Sequence, residues 1–75
     1  MISFSIPKQE IVVLKIYDIT GKEVNTLVSS MLQGGTYDIQ WSGLNDRGES
    51  VSSGYYFYRL EAGDFASTRK MALTR

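Results

Sequence analysis

The chain has 75 residues, eight basic and eight acidic side chains that cancel, and neither cysteine nor histidine. Such a length makes one small domain. The missing thiols and imidazoles exclude disulfide staples, thiolate metal sites and the commonest general base at neutral pH, and the balanced charge gives no basic excess of the kind nucleic acid needs.

The longest apolar run, Ile11-Val12-Val13-Leu14, falls far below the roughly 20 residues of a membrane helix. Met1-Ile2-Ser3-Phe4 lacks the basic start of a signal peptide. From there, Ile2, Phe4 and Ile6 alternate with serines and stop at Pro7, which suits a strand end or an edge. Val12, Leu14 and Ile16 make the next inward set, with Lys15 and Tyr17 outward. Asp18-Ile19-Thr20-Gly21-Lys22 has turn chemistry, Gly21 being suited to a left-handed backbone.

Glu23 to Ser30 continues as a strand in which Val24 and Leu27 break strict alternation and flag a bulge. A helix over Glu23–Leu32 is the competing reading. Gln33-Gly34-Gly35-Thr36 turns the chain again, after which Tyr37, Ile39 and Trp41 share one face. Ser42 to Ser53 is the longest connection, with Val51 as its expected anchor.

The last third reads as an aromatic hairpin. Tyr56, Tyr58 and Leu60 share one face and Tyr55, Phe57 and Arg59 the other. Gly63-Asp64 supplies a tight turn, and Phe65, Met71 and Leu73 fall together on a second strand. Turn punctuation every 8–12 residues or so, with period-two patterning between, predicts an all-β antiparallel sandwich of six or seven strands. Its expected core is Phe4, Ile6, Leu14, Ile16, Ile39, Trp41, Tyr56, Tyr58, Leu60, Met71 and Leu73.

An ordered set of short segments then carries a resemblance over nearly the whole chain. These are Ile2-Ser-Phe-Ser-Ile-Pro7, Val13-Leu-Lys-Ile-Tyr-Asp18 with Gly21, Gly35-Thr-Tyr37, Trp41-Ser-Gly43, Gly48-Glu-Ser-Val51, Ser53-Gly-Tyr-Tyr-Phe-Tyr-Arg-Leu60 and Lys70-Met-Ala-Leu73. Together they resemble the immunoglobulin-like C-terminal domains that serve as type IX secretion sorting domains. The immunoglobulin-like domain of the flagellar hook-capping protein is similar to this group.

The resemblance implies a small immunoglobulin-like sandwich spanning 1–75, cut from a larger secreted protein. It implies delivery to the cell surface through the periplasm and outer membrane, with a secretion translocon and a surface sortase as partners. Two departures stand out. The Pro-Asn-Pro-Phe-Asn-like segment that usually precedes the first strand lies outside this sequence, and Arg75 stands where many members end in lysine. The alternatives are a structural module that assembles in the manner of the hook-capping protein, or a spacer beside a secreted enzyme's catalytic domain.

Candidate sites are few. Trp41 reads as core before it reads as a stacking platform, and Tyr55 and Phe57 are the only aromatic pair left for a sugar strip. Asn45, Asp46 and Glu49 offer oxygens that suit calcium, although Asn-Asp-x-Gly is also plain turn chemistry. Tyr56, two residues after Gly54, is placed to hydrogen-bond across a strand corner. The serines lack a histidine partner, and a carboxylate pair drawn from Asp38, Asp46, Glu49, Glu61 and Asp64 has little volume for a cleft. No catalytic, cofactor or metal residue is therefore assigned. Arg69, Lys70 and Arg75 are the recognition candidates, against the plainer role of charges that keep an edge strand from aggregating.

Overall fold

In the computed structural model, which describes residues 1–74, six strands follow one another without a helix: β1 (Ile2–Ile6), β2 (Glu10–Tyr17), β3 (Glu23–Leu32), β4 (Gly35–Ile39), β5 (Gly54–Ala62) and β6 (Phe65–Leu73). A seventh strand, left open by the sequence, is not formed among the described residues. The competing helix over Glu23–Leu32 is a strand throughout.

The strands divide into two antiparallel sheets, β1-β4 and β3-β2-β5-β6. Alternation along β1 buries Ile2, Phe4 and Ile6 while Ser3 and Ser5 face out. Directly opposite, Ser3 donates to Asp38 Oδ1 at 2.6 Å and Ser5 meets Thr36 at 3.2 Å. On β2 the inward set Val12, Leu14 and Ile16 is fully buried, and these residues form the middle of the core.

The irregularity expected in β3 is real. Pairing with β2 steps from Leu14↔Val28 to Lys15↔Thr26, and then from Ile16↔Asn25 to Tyr17↔Glu23, so Leu27 and Val24 are each an extra residue on β3. Both bulges turn an apolar side chain toward the core, against which Val24, Leu27 and Val28 all pack.

Seven of the eleven residues expected in the core are buried and the other four pack against them, so the set is right but the depth differs from expectation. Ile2, Val12 and Ala62 join the buried set, whereas Ile39, Tyr58, Met71 and Leu73 are only half-buried against it. Phe65, on the inward side of β6, is 58% exposed. The cause is the width of the sheets. Two strands cannot cover four, so the inner faces of the flanking strands stay partly open.

Two glycines are dictated by geometry. A Cβ on Gly34 would sit 3.1 Å from Pro7 O and Lys8 Cα, where the β3–β4 turn crosses the β1–β2 connection. Gly63 opens the β5–β6 turn at φ +59 while Asp64 keeps a negative φ, the pattern of a two-residue type II′ hairpin.

Candidate functional site

The long connection between β4 and β5 is ordered by its own side chains. Asn45 Oδ1 accepts the N–H groups of Arg47 and Glu49 at 3.0 Å each, and Asn45 Nδ2 donates to Glu49 Oε1 at 3.1 Å. Gly48, at φ +80, completes the turn by donating to Asn45 O. The loop is also tied to β3 along its outer edge. Asp46 N–H donates to Val24 O, Thr26 N–H donates to Asp46 Oδ1, and Asn25 Nδ2 donates to Leu44 O at 2.7 Å.

Leu44 O also accepts the indole N–H of Trp41 at 2.9 Å. Trp41 itself is buried and meets the Tyr56 ring edge-on, with centroids 5.0 Å apart. Tyr56 makes the expected corner, its hydroxyl donating to Ser52 O at 2.6 Å. Val51 is therefore one anchor of this loop among several, a correction to the reading that gave it the whole task. The oxygens of Asn45, Asp46 and Glu49 hold the loop together and pin it to β3.

The remaining carboxylates are dispersed. Asp38 lies on the outer face of β4 against Ser3, Glu61 pairs with Arg59 at 2.8 Å on β5, and Asp64 sits in the hairpin turn. Among the described residues, Asp18 is the one carboxylate whose surroundings clearly shift it. Its Oδ1 accepts the Thr20 hydroxyl at 2.6 Å and the N–H groups of Thr20 and Lys22, and these bonds, led by the Thr20 hydroxyl, hold its pKa below the ordinary value. On the outer face of the large sheet, Glu23 holds the Lys15 ammonium at 3.0 Å and raises its pKa.

The recognition candidates end on different surfaces. Arg69 and Lys70 are neighbours in β6, so alternation sends them to opposite faces. Arg69 stands opposite Tyr58, on the side that faces the small sheet. Lys70 stands opposite Phe57 on the outer face, and its Nζ lies 5.0 Å from the centroid of the Tyr55 ring. Arg75 lies outside the described residues. A single three-charge patch is thus not what the described part of the strand presents.

A feature that the sequence did not single out lies beside Arg69. The inner side of β6 and the facing edge of β1 leave a cleft of about 220 Å³ with Phe4, Tyr58, Leu60, Phe65 and Arg69 in its walls. A second cleft of about 410 Å³, between Pro7 and Phe65, continues it past the hairpin turn and shares Ser5 and Phe65 with the first. The apolar spacing of Phe65 was visible in the sequence. That nothing would cover it depended on the number of strands in the opposite sheet.

Two antiparallel sheets packed face to face, a buried tryptophan and a tyrosine corner at the start of the fifth strand define the class: a small immunoglobulin-like β-sandwich. The family model of the FlgD Ig-like domain matches residues 3–64. The chain belongs to the FlgD Ig-like domain family. No curated protein and no solved structure matches it.

Proposed function

We propose that this chain is a structural and assembly module, a folded sandwich that joins the protein carrying it to another protein through its surface and performs no chemistry. The observation that carries this reading is the family match, which takes in β1 to β5 and the hairpin turn. The geometry supports it as well. Side-chain oxygens of the long loop serve the loop's own bonds, and the open surface is edge and cleft along the terminal hairpin. The partner is a protein, and the setting is a secreted or surface-assembled structure.

Type IX sorting is the second reading. The observation in its favour is the exposure of Arg69 and Lys70 on the last strand, where export machinery can reach them.

One experiment separates the two. The carrying protein is produced in its own host with this domain deleted, and both its location and its incorporation into an assembly are followed by cell fractionation and electron microscopy. Normal location with lost assembly supports the module reading. Retention in the periplasm, reproduced by a folded Arg69→Gln, Lys70→Gln variant, supports sorting instead. Normal location and normal assembly overturn both.

A further inference from the structure

The free edge of β6 is built differently from the other edges of the molecule. The edge of β3 is covered at Val24 and Thr26 by the long loop. The edges of β1 and β4 are each five residues long and β1 runs into Pro7, two of the ways in which proteins blunt an edge. By contrast β6 runs for nine residues, and among the described residues no strand pairs with its far side.

Its hydrogen-bonding groups can be assigned from the hairpin. A two-residue turn is closed by a hydrogen-bonded pair, here Ala62↔Phe65, and such pairs alternate along an antiparallel ladder. The N–H and C=O groups of Ala66, Thr68, Lys70 and Ala72 therefore point away from β5.

The side chains along this edge carry a consistent sign. From Phe65 to Leu73 there is no acidic residue, and the two charges are Arg69 and Lys70. Neither makes an ion pair among the described residues. That distribution argues against a second copy of the same strand. In the antiparallel register of fullest overlap, Ala66 would pair with Ala72 of the copy and Thr68 with Lys70. Arg69 would then lie directly opposite Arg69 of the copy, where like charges repel.

A strand carrying carboxylates meets the opposite situation, with Arg69 available on one face and Lys70 on the other. The cleft next to Arg69 provides the rest of the fit. A strand added to β6 would turn every second side chain toward the small sheet, into the space walled by Phe4, Leu60 and Phe65.

We infer that β6 is a docking edge for an extended acidic segment of a partner protein. The segment extends the four-stranded sheet by main-chain hydrogen bonds, places carboxylates beside Arg69 and Lys70, and drops apolar side chains into the β1–β6 cleft. This rests on the assembly reading and names the surface through which it would operate.

The test uses the 75-residue chain and two synthetic nine-residue probes, Val-Glu-Val-Glu-Glu-Glu-Val-Glu-Val and the same sequence with lysine at every glutamate. The outward positions and the central inward position, opposite Arg69, then carry the charge, and the other inward positions carry valine. Binding is followed by amide chemical shifts and amide hydrogen exchange. The glutamate probe is expected to shift the amides of β6 and the facing residues of β1, and to slow exchange at Thr68 and Lys70. The lysine probe is expected to do neither.

Thr68→Pro removes an outward N–H at a position where an edge strand tolerates proline. It should weaken glutamate-probe binding by about tenfold while leaving the β5–β6 exchange pattern in place. Arg69→Gln should weaken it by a similar factor. Equal binding of both probes, no binding of the glutamate probe, or binding indifferent to Thr68→Pro in a folded variant would each overturn the inference. So would self-association of the chain through β6 in sedimentation, which would make a second copy the occupant. Failure here leaves the assembly reading to be decided by the domain-deletion experiment, which does not depend on this edge.

Discussion

Two tyrosines in this sandwich make the same bond in different surroundings, and the pair gives a controlled measure of burial. Tyr56 donates to Ser52 O and Tyr37 donates to Gln33 O, each at 2.6 Å and each to the carbonyl four residues earlier. Tyr56 is buried with its ring against Trp41, whereas Tyr37 is half-buried, its hydroxyl bond lies at the surface and its ring stacks on Phe4. Replacement by phenylalanine removes one oxygen at each site and keeps both ring contacts.

At Tyr37, water takes over the bond to Gln33 O, so the cost should be about 0.5 kcal/mol or less. At Tyr56 the loss comprises about 1 kcal/mol of net hydrogen bond plus part of the penalty for a carbonyl left with poorer access to water. Together these give about 1–2 kcal/mol. For a domain of this size that lowers Tm by about 4–16 °C. The assay is urea unfolding followed by the fluorescence of the single tryptophan, Trp41, with the slope checked for equality across variants. Should Tyr37→Phe cost as much as Tyr56→Phe, burial would not be what gives the corner its worth.

Other outcomes can be checked on the same material. Trp41→Ala should cost roughly 3–5 kcal/mol, most of what a small domain has. Because it removes the fluorescent probe, it is followed by far-UV circular dichroism, which should show loss of the cooperative unfolding transition at or just above room temperature. Gly34→Ala forces a methyl group against the backbone of Pro7 and Lys8 and should cost about 1–3 kcal/mol. Unchanged urea midpoints would show that the crossing relaxes freely. Asp18 has a depressed pKa in the fold, so the stability it contributes is present above its ordinary value of 3.8 and is lost as pH falls through the lower folded value. The stability difference between the protein and Asp18→Asn should therefore be constant from neutral pH down to about pH 5 and shrink below pH 4, a trend that denaturation at a series of pH values will follow.

Period-two patterning located every strand, and the two breaks in it, at Val24 and Leu27, marked the bulged residues. These are local matters, since a side chain's face is decided by its neighbours in sequence. The Tyr56 corner was legible for the same reason, because its partner lies four residues away. What the pattern did not reveal is non-local. Asn25 reaches Leu44 O across 19 residues, and Asp46 accepts from Thr26 across 20. Nothing in Asn-Asp-Arg-Gly beyond turn chemistry announces that the turn will be pinned to another strand. The exposure of Phe65 follows from the small sheet having two strands, a property of the whole assembly of strands. The charges of Arg69 and Lys70 were recognised, while their separation onto opposite faces follows from the same alternation that placed the core.

The division into two sheets has a mechanical side. The first strand belongs to one sheet and the last to the other, and among the described residues no ladder of hydrogen bonds joins the two sheets. A pull between β1 and β6 is therefore not carried by main-chain bonds from end to end. Until the short link to β2, residues 7–9, is drawn taut, it crosses the sandwich through contact between Ile2, Phe4 and Ile6 and the apolar face of the larger sheet. Such contact is non-directional and short-ranged, and it lets layers slide before they part. Placed in series with other parts of a protein under load, this domain would give at the seam between its layers while the β2–β5 and β5–β6 ladders stayed intact.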